Sequence, residues 1–189
     1  IDACDRYLAY VPEDKAPKAI AIMFKAGKIY YDHNQFEEAI KRFEAIVLRN
    51  PEAEEAEYAA NLVLDVYNLR QDWNKLYELT ARYSKNEALI KDRDKLAEQL
   101  SKAGEYAKFK LVQILEERLK KEGGSLAPVA RAYVEFQAEF PKSENADKAR
   151  YNASVAYDSV GERDRAQALR QKLMVEYKDS DLRADVQYY

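Results

Sequence analysis

Few residues in this 189-residue chain are of types that do chemistry. The one histidine, His33, lies in Asp32-His33-Asn34, a short stretch between two helical patterns, and no second histidine exists to complete a metal site. The one cysteine, Cys4, falls on the apolar face of a helical pattern and reads as a small core residue rather than a nucleophile. Gly123-Gly124 lacks the flanking strand, the third glycine and the Lys-Ser pair of a phosphate loop. Glu52, Glu54, Glu55 and Glu57 open a helix, where acids complement the dipole, and read as a solvated helix start. The expectation is therefore no catalytic residue, no metal and no cofactor.

The chemistry that remains is recognition. Tyr58, Asn61, Asp65 and Asn68 recur at i, i+3, i+7 and i+10, among the apolar residues Ala59, Ala60, Leu62, Val63, Leu64 and Val66. A polar stripe on an otherwise apolar helix faces water or a partner. Side-chain amides there could donate to and accept from a peptide backbone. Fifteen tyrosines add amphipathic contact area. Tyr30, Tyr67 and Tyr157 fall on core positions. Tyr31, Tyr58, Tyr151, Tyr188 and Tyr189 do not, which marks them as interface residues.

The elements that carry these residues are helices. Composition is 47% hydrophobic and 34% charged, with five Gly and five Pro, which excludes disorder and a turn-rich β fold. No apolar run reaches the ~20 residues of a membrane span. A net charge of −3 with interspersed signs gives no nucleic-acid footprint. Helical periodicity predicts helices over 1–11, 17–33 and 35–49, with Asn34 as N-cap of the third and Pro12 and Pro51 as stops. The chain opens and ends within helical patterns, so a segment of a longer protein is expected, with self-association through Val186, Tyr188 and Tyr189.

Helix pairs then repeat. Tyr30 and Phe36 correspond to Tyr67 and Trp73 at a shift of 37, and Tyr30 and Ala39 to Tyr157 and Ala166 at a shift of 127. Arg-Tyr-Leu-Ala-Tyr-Val-Pro at 6–12, Glu-Phe-Pro-Lys-Ser at 139–143 and Glu-Tyr-Lys-Asp-Ser at 176–180 each precede a new pair. Helix-pair repeats of this period predict an all-α fold, an α-solenoid of antiparallel pairs. The units are 1–12 as a second helix alone, then 17–51, 52–85, an irregular 86–142, 143–179, and 180–189 as a further start. Within 86–122 one long helix and a helix broken at Ser101–Gly104 are both open, and the break is favoured. Gly123-Gly124-Ser125 predicts a stop, with Ser125 capping the next helix and Pro128 in its first turn.

Ala26, Gly27, Tyr30, Ala39, Phe43 and Pro51 resemble the consensus of the tetratricopeptide repeat. The second unit departs from it at Leu64, Leu76 and Thr80, and the last at Ser154 and Arg170. The resemblance covers about two thirds of the chain. It implies a right-handed superhelix whose concave face is lined by the first helix of each pair. Carried over, the groove positions are Ala21, Phe24, Lys28 and Tyr31; Tyr58, Asn61, Asp65 and Asn68; and Lys148, Tyr151, Val155 and Asp158. Phe24 and Lys28 stand where the chaperone-binding subclass has a clamp Lys and Asn, so a chaperone C-terminus is not the implied ligand. Phe-Pro-Lys-Ser, Ala146, Ala149, Tyr151 and Tyr157 are similar to repeats of bacterial envelope proteins. Those include outer-membrane-assembly lipoproteins, the Tol-associated periplasmic coordinator and gliding-motility proteins. The implied location is periplasmic or outer-membrane-associated. The expected function is a non-catalytic scaffold binding a peptide or partner domain. A spacer, a self-assembling rod, or a regulatory module of an enzyme are the alternatives.

Overall fold

The computed structural model describes Cys4, Arg6 and residues 17–186. The expected helix over 1–11 lies outside the described residues except at Cys4 and Arg6, which are both helical, Cys4 being half-buried. Tyr188 and Tyr189 also lie outside them. Among the described residues the fold is all-α and contains no strand. The first helices are α1 (Pro17–Asp32), α2 (Phe36–Arg49), α3 (Glu54–Leu69), α4 (Trp73–Ser84) and the single turn α5 (Glu87–Ile90). They are followed by α6 (Asp94–Glu122), α7 (Ala127–Glu139), α8 (Ala146–Ser159), α9 (Arg163–Glu176) and the short α10 (Arg183–Val186). The chain divides into two compact units, Ile1–Gly104 and Glu105–Tyr189.

Within the first unit each helix packs on the next, and α1 also meets α3. The tightest approach is at Gly27. A Cβ there would lie 2.6 Å from Cε1 of Phe43, whose ring is fully buried. Only glycine lets α1 and α2 close to that distance, because no real Cβ contact is so short. At the matching positions of α3 and α4 the sizes are exchanged. Leu64 stands for Gly27 and Thr80 for Phe43, and both are buried. The departures from the repeat pattern are thus a large-for-small exchange across the pair.

The turns show the repeat in the backbone. At the end of α1, Asn34 adopts φ 57° and donates its N–H to the Tyr31 carbonyl at 2.9 Å, while Gln35 N–H donates to the Tyr30 carbonyl at 2.9 Å. This is a Schellman ending. Gln71 and Asp72 repeat it on Asn68 and Tyr67, Gly161 and Glu162 on Asp158 and Tyr157, and Gly123 and Gly124 on Lys120 and Leu119. Tyr67 and Tyr157 are the residues that shifts of 37 and 127 assign. Asn34 is therefore not the N-cap of α2, which starts from Gln35 without a side-chain cap. Asparagine tolerates the left-handed conformation, and the helix end claims it. Ser125 is likewise not the N-cap: that position is Leu126, and Ser125, one residue earlier, accepts from Ala127 N–H at 3.3 Å.

The connections between pairs also recur. Amides at 50, 53 and 56 bond carbonyls at 46, 50 and 53, and the same ladder appears at 136–146 and 173–183. In the first unit Arg93 clamps such a connection. Its guanidinium donates to the carbonyls of Pro51, Leu89, Glu52 and Ala53 at 2.7–3.0 Å and lies 3.7 Å from Glu57.

The expected break at Ser101–Gly104 is absent. α6 runs unbroken for 29 residues, and the interruption falls earlier, at Lys91-Asp92-Arg93, where Asp92 adopts φ 57°. Gly104 serves close packing instead. A Cβ on it would lie 2.8 Å from Thr80 Oγ1. Glycine costs a helix only ~1 kcal/mol relative to alanine, a cost that such an approach can offset.

In the second unit the core joins α6, α7, α8 and α9 through Phe109, Val112, Val129, Tyr133, Phe136, Ala149, Ala153, Tyr157 and Ala166. The Phe109 ring packs at a tilt against those of Phe136 and Tyr133, at centroid separations of 5.2 and 6.0 Å. Small residues on α8 let its neighbours approach, and the large aromatics of α6 and α7 fill the space. No helix of the described residues is long and apolar enough to cross a membrane.

Candidate functional site

In the first unit α1 and α3 bring five of the expected residues together. Phe24 lies 6.3 Å from the ring of Tyr58 and 5.5 Å from that of Phe43, so one side of Phe24 is anchored in the core. Tyr58 remains 56% exposed. About two helical turns further along, the Tyr31 hydroxyl donates to the Asp65 carboxylate. That bond, with desolvation and the negative charge behind it, pushes the Tyr31 phenol up to about 12. Lys28 Nζ lies 5.3 Å from the Tyr31 ring centroid and pairs with Asp32. Asn61 is half-buried and Asn68 exposed, on the same face of α3 between and beyond these contacts. Their side-chain amides make no hydrogen bond among the described residues. The surface that results has two tethered aromatics, paired charges and open amides. It suits contact with a polypeptide.

In the second unit the expected residues separate. Lys148 and Tyr151 line one groove of about 490 Å³, together with Tyr106, Phe109, Lys110, Gln113, Asn145, Asn152 and Leu182. Asp158 lies elsewhere, in a groove of about 560 Å³ with Arg163, Gln167 and Arg170. Its carboxylate accepts from Arg170. Arg170 occupies the position of Phe43, so a buried guanidinium there requires a counter-charge, and Asp158 supplies it. Ser154, at the position of Gly27, turns its hydroxyl onto the Tyr151 carbonyl at 2.7 Å. Val155 is 40% exposed.

Tyr106, Lys110, Gln113 and Asn152 did not emerge from sequence. The first three lie at i, i+4 and i+7 on α6, but that helix is charged around much of its circumference, which hides the stripe. The Tyr133 hydroxyl donates to Glu116 Oε2 at 2.6 Å.

His33 is exposed in its turn, with Nδ1 2.8 Å from the Ile29 carbonyl. Among the described residues no three His, Cys, Asp or Glu side chains converge as a metal-binding set. No protein-family model matches the chain, and a search of curated proteins finds no match.

Proposed function

We propose that the chain is a non-catalytic scaffold of tetratricopeptide type, an α-solenoid whose first helices bind a peptide or a partner domain, working in a bacterial envelope complex. The observation that carries this reading is the α1–α3 surface. Phe24 meets Tyr58 and Tyr31 meets Asp65 across two successive first helices, with the amides of Asn61 and Asn68 open beside them. Aromatics fixed on rigid helices supply contact area at low entropy cost, and asparagine pairs with a peptide backbone without desolvating a charge. The recurring Schellman turns and the Gly27–Phe43 approach support the repeat type. The envelope setting rests on the resemblance of the Phe-Pro-Lys-Ser segment and its following Ala and Tyr residues.

A pull-down with the chain as bait, from envelope and cytoplasmic fractions, supplies the partner. Binding is then measured for Asn61→Ala with Asn68→Ala and for Lys41→Ala on the exposed face of α2. Glu44, one turn from Lys41, is left intact because it accepts from Arg82 at 2.6 Å and ties α2 to α4. The asparagine pair should weaken binding at least about ten-fold with unchanged thermal stability, and Lys41→Ala should leave it unchanged. Loss of binding in Lys41→Ala alone would move the interface to the second helices.

A further inference from the structure

We propose that the second unit's groove between α6 and α8 selects an acidic, extended peptide segment. The inference rests on the reading of first-helix surfaces as binding faces and adds the chemistry of the ligand. The charged side chains lining the groove are Lys110 and Lys148, and no carboxylate lines it. Lys110 Nζ lies 5.5 Å from the centroid of the Tyr106 ring. Lys148 makes no ion pair among the described residues. Of the acids nearest in sequence, two are hydrogen-bonded to serines, and Glu144, four residues before Lys148, is exposed and not part of the lining. Glu105 accepts from Ser143 Oγ and Asp147 from Ser180 Oγ, both at 2.6 Å. In the first unit, by contrast, Lys28 is neutralised by Asp32.

The rest of the lining is what an extended backbone requires. Gln113 and Asn152 offer amides. Tyr106 is 45% exposed and Tyr151 half-buried, and both line the groove with amphipathic surface. Two ammonium groups beside a partly desolvated cleft favour carboxylates and disfavour basic segments, and their attraction is screened by salt.

The test uses the whole 189-residue chain and fluorescein-labelled Gly-Ser peptides carrying four glutamates, four glutamines or four lysines. Fluorescence anisotropy should show binding of the glutamate peptide that weakens as NaCl rises from about 50 to about 300 mM. Lys110→Gln with Lys148→Gln should cost at least roughly ten-fold, while Lys110→Arg with Lys148→Arg stays within about three-fold. Equal affinity for the glutamine peptide would overturn the acidic selectivity while leaving the binding-face reading standing. Glutamate-peptide binding that is lost in Asn61→Ala with Asn68→Ala and kept in the lysine pair would overturn this groove. Tighter binding of labelled oligouridylate, sensitive to the same lysines, would overturn the peptide class. No binding of any probe overturns the inference. The binding-face reading is then judged separately by the cellular partner and its response at Asn61 and Asn68.

Discussion

At the residue scale the account turns on contacts too close for an ordinary side chain. Gly27→Leu should destabilise the chain by roughly 1–3 kcal/mol through overpacking against Phe43. Even Gly27→Ala should fail to gain the ~1 kcal/mol that alanine usually brings to a helix, since its Cβ meets a buried ring. The Leu64/Thr80 arrangement suggests the rescue. Gly27→Leu combined with Phe43→Thr should be more stable than the sum of the two single changes, by about 1 kcal/mol or more in urea midpoints at unchanged slope. Strict additivity would mean that these positions do not face each other.

Tyr31 gives a second residue-scale prediction, in alkali. Its phenol is raised from the ordinary 10 to about 12, chiefly by the bond to Asp65. The fold therefore favours the protonated form. That contribution is whole below pH 10 and is lost as pH rises from about 10 to about 12. The phenolate absorbance of the wild type minus that of Tyr31→Phe should show a midpoint near 12. Asp65→Asn should draw that midpoint back toward 10. A midpoint near 10 in the unmodified chain would contradict the Tyr31–Asp65 link that joins α1 to α3.

At the element scale the helices, the helix-pair spacing and the burial of Tyr157 were legible from spacing, because a half-buried helix must repeat its apolar face every 3.6 residues, whereas Tyr30 and Tyr67, expected in the core, are only half-buried. What stayed hidden depends on tertiary neighbours. Asparagine is favoured both at a helix start and in a left-handed helix end, so Asn34 could not be assigned by type. Gly104 looks like a weak point, while Lys91-Asp92-Arg93 looks like ordinary exposed helix. The preference is reversed by Thr80, which crowds Gly104, and by the carbonyls of 51–53, which hold Arg93. Gly104→Ala should accordingly cost about 1 kcal/mol in the natural background. In a Thr80→Ala background it should become neutral or stabilising, as helix propensity prevails. A stabilising Gly104→Ala in the unaltered chain would show that α6 does not approach Thr80 so closely.

At the scale of the molecule, the candidate surfaces were legible unevenly. The α3 stripe was visible because Tyr58, Asn61, Asp65 and Asn68 interrupt an apolar helix. The α6 stripe was not, because its background is polar. Asp158 was placed by repeat position alone and proved to serve Arg170, a buried cation that the repeat pattern does not contain. These outcomes share one cause: a polar side chain on a helix face serves either the interior or a ligand, and only its neighbours decide which.

The central claim is that a partner meets the first-helix surface of α1 and α3. The most direct measurement places a photo-crosslinking benzoylphenylalanine singly at Asn61, Asn68 or Lys41 and irradiates cells of the native host. The account predicts adducts of one common mass from Asn61 and Asn68, diminished when Tyr58→Ala is added, and none from Lys41. An adduct from Lys41 alone, or none from either asparagine position while the chain still co-purifies with its partner, would contradict it.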